Sequence, residues 1–155
     1  MKVIYSCYWG SYLAVVAASL HLGKIKAGQF KDEEILKLPR FNGITYPQLG
    51  ELFYMGTDDL GRRIYVMGSK STGRVIERTL NGLAEIYGLG KNSVDFVDLN
   101  AHSNFYISLG SCLIHKFRLE KTGLALVLKG IRKSMNGLEN TVLKVKNEPD
   151  YTKKG

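Results

Sequence analysis

The stretch Lys2-Val3-Ile4-Tyr5-Ser6-Cys7-Tyr8-Trp9-Gly10-Ser11-Tyr12-Leu13-Ala14-Val15-Val16-Ala17-Ala18-Ser19-Leu20-His21-Leu22-Gly23 changes character once, and that change decides the fold class. Val3, Ile4 and Tyr5 form a near-continuous apolar run, the pattern of a strand buried on both faces. From Ser11 or Tyr12 the apolar residues Leu13, Val16, Ala17 and Leu20 recur at spacings of three and four, the period of a helix, and Gly23 is placed to cap its end. The chain therefore opens as strand, glycine-containing turn and helix.

Working outward, Asp32 to Leu38 reads as a short helix with its acids in the first turn, stopped by Pro39. Glu51 to Met55 and Arg62 to Met67 are strand-like and flank a polar turn at Asp58, Asp59 and Gly61, the signature of a hairpin. Thr72 is positioned to cap a helix over 73–87 with an apolar stripe at Val75, Ile76, Leu80, Leu83 and Ile86, closed by Gly88 and Gly90. Val94 to Leu99 returns as a strand, and Ser103 to Phe117 is again helical. A last long helix from Thr122 towards Lys146 carries its stripe at Leu124, Leu128, Ile131, Met135, Leu138 and Val142. Gly123, Gly130 and Gly137 within it suggest either close packing inside the domain, a break in the helix, or a contact across a dimer.

Strands alternating with helices imply an α/β fold: a three-layer, mostly parallel sheet of Rossmann-like or phosphatase-like topology, with one β-hairpin and a long C-terminal helix. Residues 1–148 are expected to form one domain, followed by a flexible basic tail over 149–155. A chain of 155 residues that is 45% apolar is large enough for such a core. Two cysteines, Cys7 and Cys112, are too few for a disulfide framework and match no metal spacing. The polar and aromatic run from Ser6 to Tyr12 interrupts what would otherwise resemble a secretory signal, no stretch is apolar enough to span a bilayer, and the expected compartment is the cytoplasm. No Walker loop, Gly-x-Gly-x-x-Gly or zinc spacing is present, so neither a cofactor nor a metal is expected.

Net charge is +8 and uneven: residues 113–155 hold ten Lys or Arg against four Asp or Glu, leaving +6 there and +2 in the remainder. Such a surplus suits nucleic acid or an acidic partner, although no nucleic-acid motif accompanies it, and a solvated helix face with Lys153 and Lys154 at its end is the plainer reading.

In open parallel sheets ligands bind at the carboxyl ends of strands, which selects the turn after Tyr8 and the loop after Asp98. In the turn, the N–H groups of Gly10, Ser11 and Tyr12 at a helix start form a candidate anion cradle, with Trp9 beside it. Cys7 just before that turn is similar in placement to the nucleophile of cysteine-dependent phosphatases and sugar-transport phosphocarriers. A low-molecular-weight phosphatase also needs an arginine shortly after its cysteine, and residues 8–19 contain no Arg or Lys. Asp98, Asn100, His102 and Ser103 could set a carboxylate, an amide and an imidazole at the mouth of the crevice, or serve as loop and capping residues. His21 lies near the end of the first helix, where a capping role is the plainer reading. Cys7, His102 and His21 are thus the candidate catalytic residues. Cys112 and His115 are expected to be structural, and Asp58 and Asp59 to be solvated turn formers rather than a metal pair.

The opening stretch from Val3 to Gly23, with Tyr54-Met55-Gly56-Thr57-Asp58, Gly61 and Leu128-Lys129-Gly130-Ile131-Arg132-Lys133, resembles the DUF3189 family, a domain of unknown function found mainly in spore-forming Gram-positive bacteria. The family pattern has a second glycine at the position of Trp9 and His, Ser or Thr, and Ser at those of Tyr12, Leu13 and Ala14. The resemblance therefore implies a divergent member that has lost side-chain donors from its turn, while His21 matches the motif. Three functional readings follow. The first is a non-catalytic or degenerate interaction protein that self-associates or pairs with a relative through the aromatic turn and the glycine-striped helix. The second is an enzyme or carrier for a phosphorylated or other small anion, and the third is nucleic-acid binding through the basic C-terminal helix.

Overall fold

The computed structural model describes residues 1–26, 28–89 and 93–148. Gly90 and the tail 149–155, with Lys153 and Lys154, lie outside the described residues. The elements are β1 (Lys2–Cys7), α1 (Leu13–His21), α2 (Asp32–Leu36), β2 (Phe53–Thr57), β3 (Arg63–Gly68), α3 (Gly73–Ile86), β4 (Val94–Asp98), α4 (Phe105–Phe117) and α5 (Glu120–Asn147). No helix among the described residues is long and apolar enough to cross a membrane.

The four strands form a sheet in the order β2-β3-β1-β4. β1 runs parallel to both neighbours, Tyr5 lying opposite Val66 on β3 and Val97 on β4, and β2 pairs antiparallel with β3 across an irregularity between Tyr54 and Gly56. The mostly parallel α/β sheet, the hairpin and the long last helix are thus as the sequence implies. From β1 the chain moves to β3 on one side, and from β3 it returns across β1 to β4 on the other. Right-handed crossovers in opposite directions put α1 and α3 on opposite faces. α1 packs on β1, β3 and α5, whereas α3 packs on β4.

α1 is buried all round, with Leu13 to Ala18 closed off from solvent between the sheet and α5. This is why its sequence is aliphatic on every side rather than amphipathic. Gly23, at φ +68°, ends it: Gly23 N–H donates to Leu20 O and Lys24 N–H to Ser19 O, the paired closure of a left-handed cap. α4 begins later than the sequence pattern suggests because Asn104 caps it, its side-chain oxygen accepting the N–H groups of Tyr106 and Ile107.

α5 is continuous through all three glycines, and its stripe from Leu128 to Val142 lies in the core. The glycines face the rest of the domain. A Cβ at Gly123 would lie 2.7 Å from Gly110 O, at Gly130 2.5 Å from Ile107, and at Gly137 2.8 Å from the His102 ring. Close packing of α4 accounts for Gly123 and Gly130 and the His102 turn before it for Gly137, and helix breakage does not occur.

α3 departs from expectation. Of its forecast core stripe, Val75 is 65% exposed, Leu83 44% and Ile86 78%, while Gly73 and Ala84 are its buried residues. The periodicity correctly marks a helix, but most of the marked face points to solvent. Thr72 precedes the helix as forecast, yet its hydroxyl donates to Ser69 O at 2.6 Å and makes no cap to the helix.

Candidate functional site

Three loops converge at the carboxyl ends of the parallel strands. Ser69 N–H donates to Cys7 O, Lys70 N–H to Tyr8 O and Leu99 N–H to Ser6 O, so the loops after β3 and β4 are tied to the end of β1. The Asn100 side chain donates to Lys70 O at 2.9 Å, joining the second loop to the third, and the Ser6 and Ser69 hydroxyls bond beneath them at 2.7 Å. β1 and β3 are neighbours whose following helices leave to opposite faces, the arrangement that opens a crevice in doubly wound sheets. A cavity of about 720 Å³ occupies it, reaching from Cys7 and Trp9 across Lys70, Arg74 and Asp98 to Cys112, His115 and Lys116 on α4.

The turn after β1 is held by close backbone packing. Gly10 has φ +74°, and a Cβ there would lie 2.5 Å from Gly68 N and 2.7 Å from Met67 C, so the end of β3 fills the space a side chain would need. Cys7 is buried at the cavity floor. Burial pushes its thiol up from the ordinary range, against the backbone N–H groups of Ala14, Gly10, Tyr12 and Trp9, which favour the thiolate. Burial prevails, and the sulfur stands as a neutral thiol near pH 7.

The aromatic residues form a wall. The Trp9 and His115 rings stack with centroids 3.8 Å apart and planes 15° from parallel. Burial lowers the His115 pKa, so the ring is neutral at pH 7. Tyr12 donates its hydroxyl proton to Asn42 Oδ1 at 2.9 Å and lies 3.1 Å from His115 Nε2, which leaves the imidazole as donor in that second bond. Asn42 in turn donates to Glu120 at 3.2 Å, a chain of bonds that fixes the wall to α5. The cationic side comes from Lys70, Arg74 and Lys116. Lys70 Nζ donates to Tyr46 OH at 2.8 Å and lies over its ring, a contact that raises the lysine pKa and lowers that of the phenol. The Asp98 carboxylate sits against the start of α3, where a Cβ at Gly73 would meet it at 2.5 Å, and accepts Asn100 N–H at 3.0 Å. A carboxylate at a helix N-terminus has its charge offset by the dipole.

Of the sequence candidates, Cys7, Trp9, Tyr12, Asp98, Asn100 and Ser103 line this cavity. Gly10 and Ser11 build the turn and are absent from its lining. Ser11 is buried, and its hydroxyl accepts Ile44 N–H at 3.0 Å. His102 turns away. Its Nε2 meets Thr141 Oγ1 at 2.9 Å, its carbonyl accepts from Ser134 at 2.6 Å, and its ring packs over Gly137, because a 3-10 turn over Asn100–His102 swings it towards α5.

His21 belongs to a second polar cluster, apart from the cavity. Its Nδ1 lies 2.7 Å from Tyr5 OH and its Nε2 2.9 Å from Asp58 Oδ2. An ionised carboxylate only accepts, so Nε2 carries the proton and Nδ1 receives the tyrosine hydroxyl, the pattern of a neutral ring. Burial lowers the His21 pKa against the opposing pull of Asp58. Arg62, almost wholly buried, donates through Nε to Asp58 at 2.7 Å and through its terminal nitrogen to Val145 O at 2.9 Å. Asp58 is therefore an ion-paired anchor between the hairpin turn, α1 and the end of α5, where the sequence suggested a solvated turn former. Burial opposes its ionisation, but the bonds from His21 and Arg62 outweigh that and bring its pKa down to about 2.

The residues that sequence reasoning missed are Lys70, Arg74, His115, Cys112 and Lys116. The first two follow the end of β3, so the rule that singled out the loops after β1 and β4 points equally to them. The others reach the cavity only because α4 folds back over the strand ends. Elsewhere part of the C-terminal basic surplus is engaged within the chain: Lys129 and Lys133 lie over the Tyr106 ring, and Arg132 pairs with Asp32.

No curated protein and no solved structure matches this chain. A family model matches residues 2–147, nearly the whole length, and is described as a protein of unknown function; the chain belongs to the DUF3189 family.

Proposed function

We propose that this protein is a non-catalytic receptor for a small anion with an apolar or aromatic body, held in the cavity at the strand ends. The observation that carries the reading is the pairing, in one crevice, of an aromatic wall of Trp9, His115 and Tyr12 with the cations Lys70, Arg74 and Lys116. A cavity of about 720 Å³ falls in the range of small-molecule sites, and mostly apolar walls with a few convergent polar groups are their usual composition. The neutral Cys7 thiol and the neutral, stacked His115 argue against thiolate chemistry of the phosphatase kind.

Thermal unfolding in the presence of phenyl phosphate, inorganic phosphate or phenol tests the reading. Phenyl phosphate should raise the melting temperature most, since a ligand at a hundred times its dissociation constant adds about 2.7 kcal/mol. The Lys70→Ala/Arg74→Ala double variant should lose that shift. Equal responses to phosphate and phenyl phosphate, or a shift untouched in the double variant, would refute the reading.

A further inference from the structure

The outer face of α3 is self-complementary, and we infer that it pairs antiparallel with α3 of a second copy of this chain. Val75, Thr79, Gly82 and Ile86 recur at spacings of four, three and four, the seam of a two-helix coiled coil. They lie on the side away from Gly73 and Ala84, the residues through which the helix meets its own sheet. Val75 and Ile86 are exposed aliphatic residues, and Leu83 widens the stripe beside them. Beyond its own helix, Gly82 has nothing among the described residues within 4 Å of where a Cβ would be, so no described contact calls for glycine there. Gly in a helix interior costs about 1 kcal/mol relative to Ala, and close approach of a second helix would offset that.

A two-fold axis through the middle of the seam sets each Val75 against the partner copy's Ile86 and each Thr79 against its Gly82. The same axis brings Arg78, which flanks the seam, beside Glu85 of the other copy, and does so twice. Neither Arg78 nor Glu85 makes an ion pair within the chain among the described residues. Apolar ends meeting apolar ends and opposite charges meeting twice along one flank is what an isologous interface requires, which is why the occupant is a second copy. The anion site does not enter this argument.

Sedimentation of the purified full chain over a range of concentrations tests it. Wild type should dimerise, and Ile86→Glu, a change at an exposed position, should weaken the dimer about a hundredfold while leaving the circular dichroism spectrum and thermal unfolding cooperativity intact. Arg78→Glu and Glu85→Arg should each weaken self-association about tenfold, yet mixed in equal amounts they should form a heterodimer, because each then offers the charge the other needs. A wild type that stays monomeric at its highest soluble concentration would overturn the proposal. So would a dimer indifferent to Ile86→Glu, or a mixture no more associated than its components.

Discussion

Replacing Gly10 with alanine tests how the turn beneath the cavity is held, because two separate costs meet at that residue and other glycines isolate each. At φ +74° an L side chain is strained, which is worth about 1–2 kcal/mol. The added Cβ would also lie 2.5 Å from Gly68 N and 2.7 Å from Met67 C, backbone atoms inside a sheet that cannot rotate away. Overpacking of that kind costs about 1–3 kcal/mol. Gly23→Ala carries only the first cost: φ is +68°, and nothing among the described residues beyond its chain neighbours lies within 4 Å of the added Cβ. Gly68→Ala carries only the second, its Cβ meeting Leu49 at 2.5 Å and Trp9 O at 2.7 Å. Urea unfolding of the three variants, compared at a common m-value, should place Gly10→Ala as the largest loss, about 2–5 kcal/mol and near the sum of the other two. A Gly10→Ala loss no larger than that of Gly23→Ala would show that the β3 end yields freely, and the close packing of turn on strand would then explain nothing about the site.

Two further outcomes follow from the titrating groups. Iodoacetamide near neutral pH should alkylate the exposed Cys112 and leave the buried, protonated Cys7 untouched until the chain is unfolded; comparable native-state labelling of both by mass spectrometry would disprove the assignment of Cys7 as an inert thiol. The Asp58 pKa is lowered from an ordinary 3.8 to about 2, so the unfolded chain binds a proton there first, and the stability this group contributes is present above about pH 3.8 and lost as pH falls towards 2. The lowered His21 pKa acts in the same direction at higher pH, stability falling once pH drops below the ordinary 6.5. Asp58→Asn should cost about 3 kcal/mol at pH 7 by leaving Arg62 buried without its anion, and should flatten the acid limb in a urea-unfolding series; an unchanged acid limb would assign that proton elsewhere.

The elements were legible where burial and periodicity coincide. α1 sits between the sheet and α5, and α5 keeps one stripe in the core along most of its length, so hydrophobic spacing reports both faithfully. α3 shows where that signal is ambiguous: Val75, Leu83 and Ile86 give a helical stripe, but a stripe says only that a face avoids water, not whether its own sheet covers it. The polar cluster was illegible for a different reason. Tyr5 and His21 come from β1 and α1 and Asp58 and Arg62 from the hairpin turn, and only the packing of that turn beside β1 and α1 brings the two pairs together. In the sequence each looks like an ordinary strand, cap or turn residue. Half the cavity was legible from the strand-end rule, and the half contributed by α4 was not, since nothing local in Cys112 to Lys116 records that the helix folds back over the sheet.

The turn itself bears on how the proposed ligand would be held. Leu13 and Ala14 are buried in the core, and Tyr12 spends its hydroxyl on Asn42 and His115, so none of these side chains offers a free donor to the cavity. The backbone N–H groups of Trp9, Gly10, Tyr12 and Ala14 act on the Cys7 thiol, whose pKa burial nonetheless raises. In the proposed reading, an anion in the crevice would therefore meet positive charge from Lys70 and Arg74 after β3 and Lys116 on α4 rather than at the start of α1. Trp9, in the place where the family resemblance implies a second glycine, stacks on His115 and converts one side of the crevice into an aromatic wall. On the pattern that the family resemblance implies, Tyr12 both replaces a donor and joins the aromatic wall, Trp9 adds to the wall where no donor stood, and Leu13 and Ala14 only extend the core. Under the proposed function, the cavity would therefore select a molecule whose flat or apolar body lies against Trp9 and His115 and whose anionic end meets Lys70, Arg74 and Lys116.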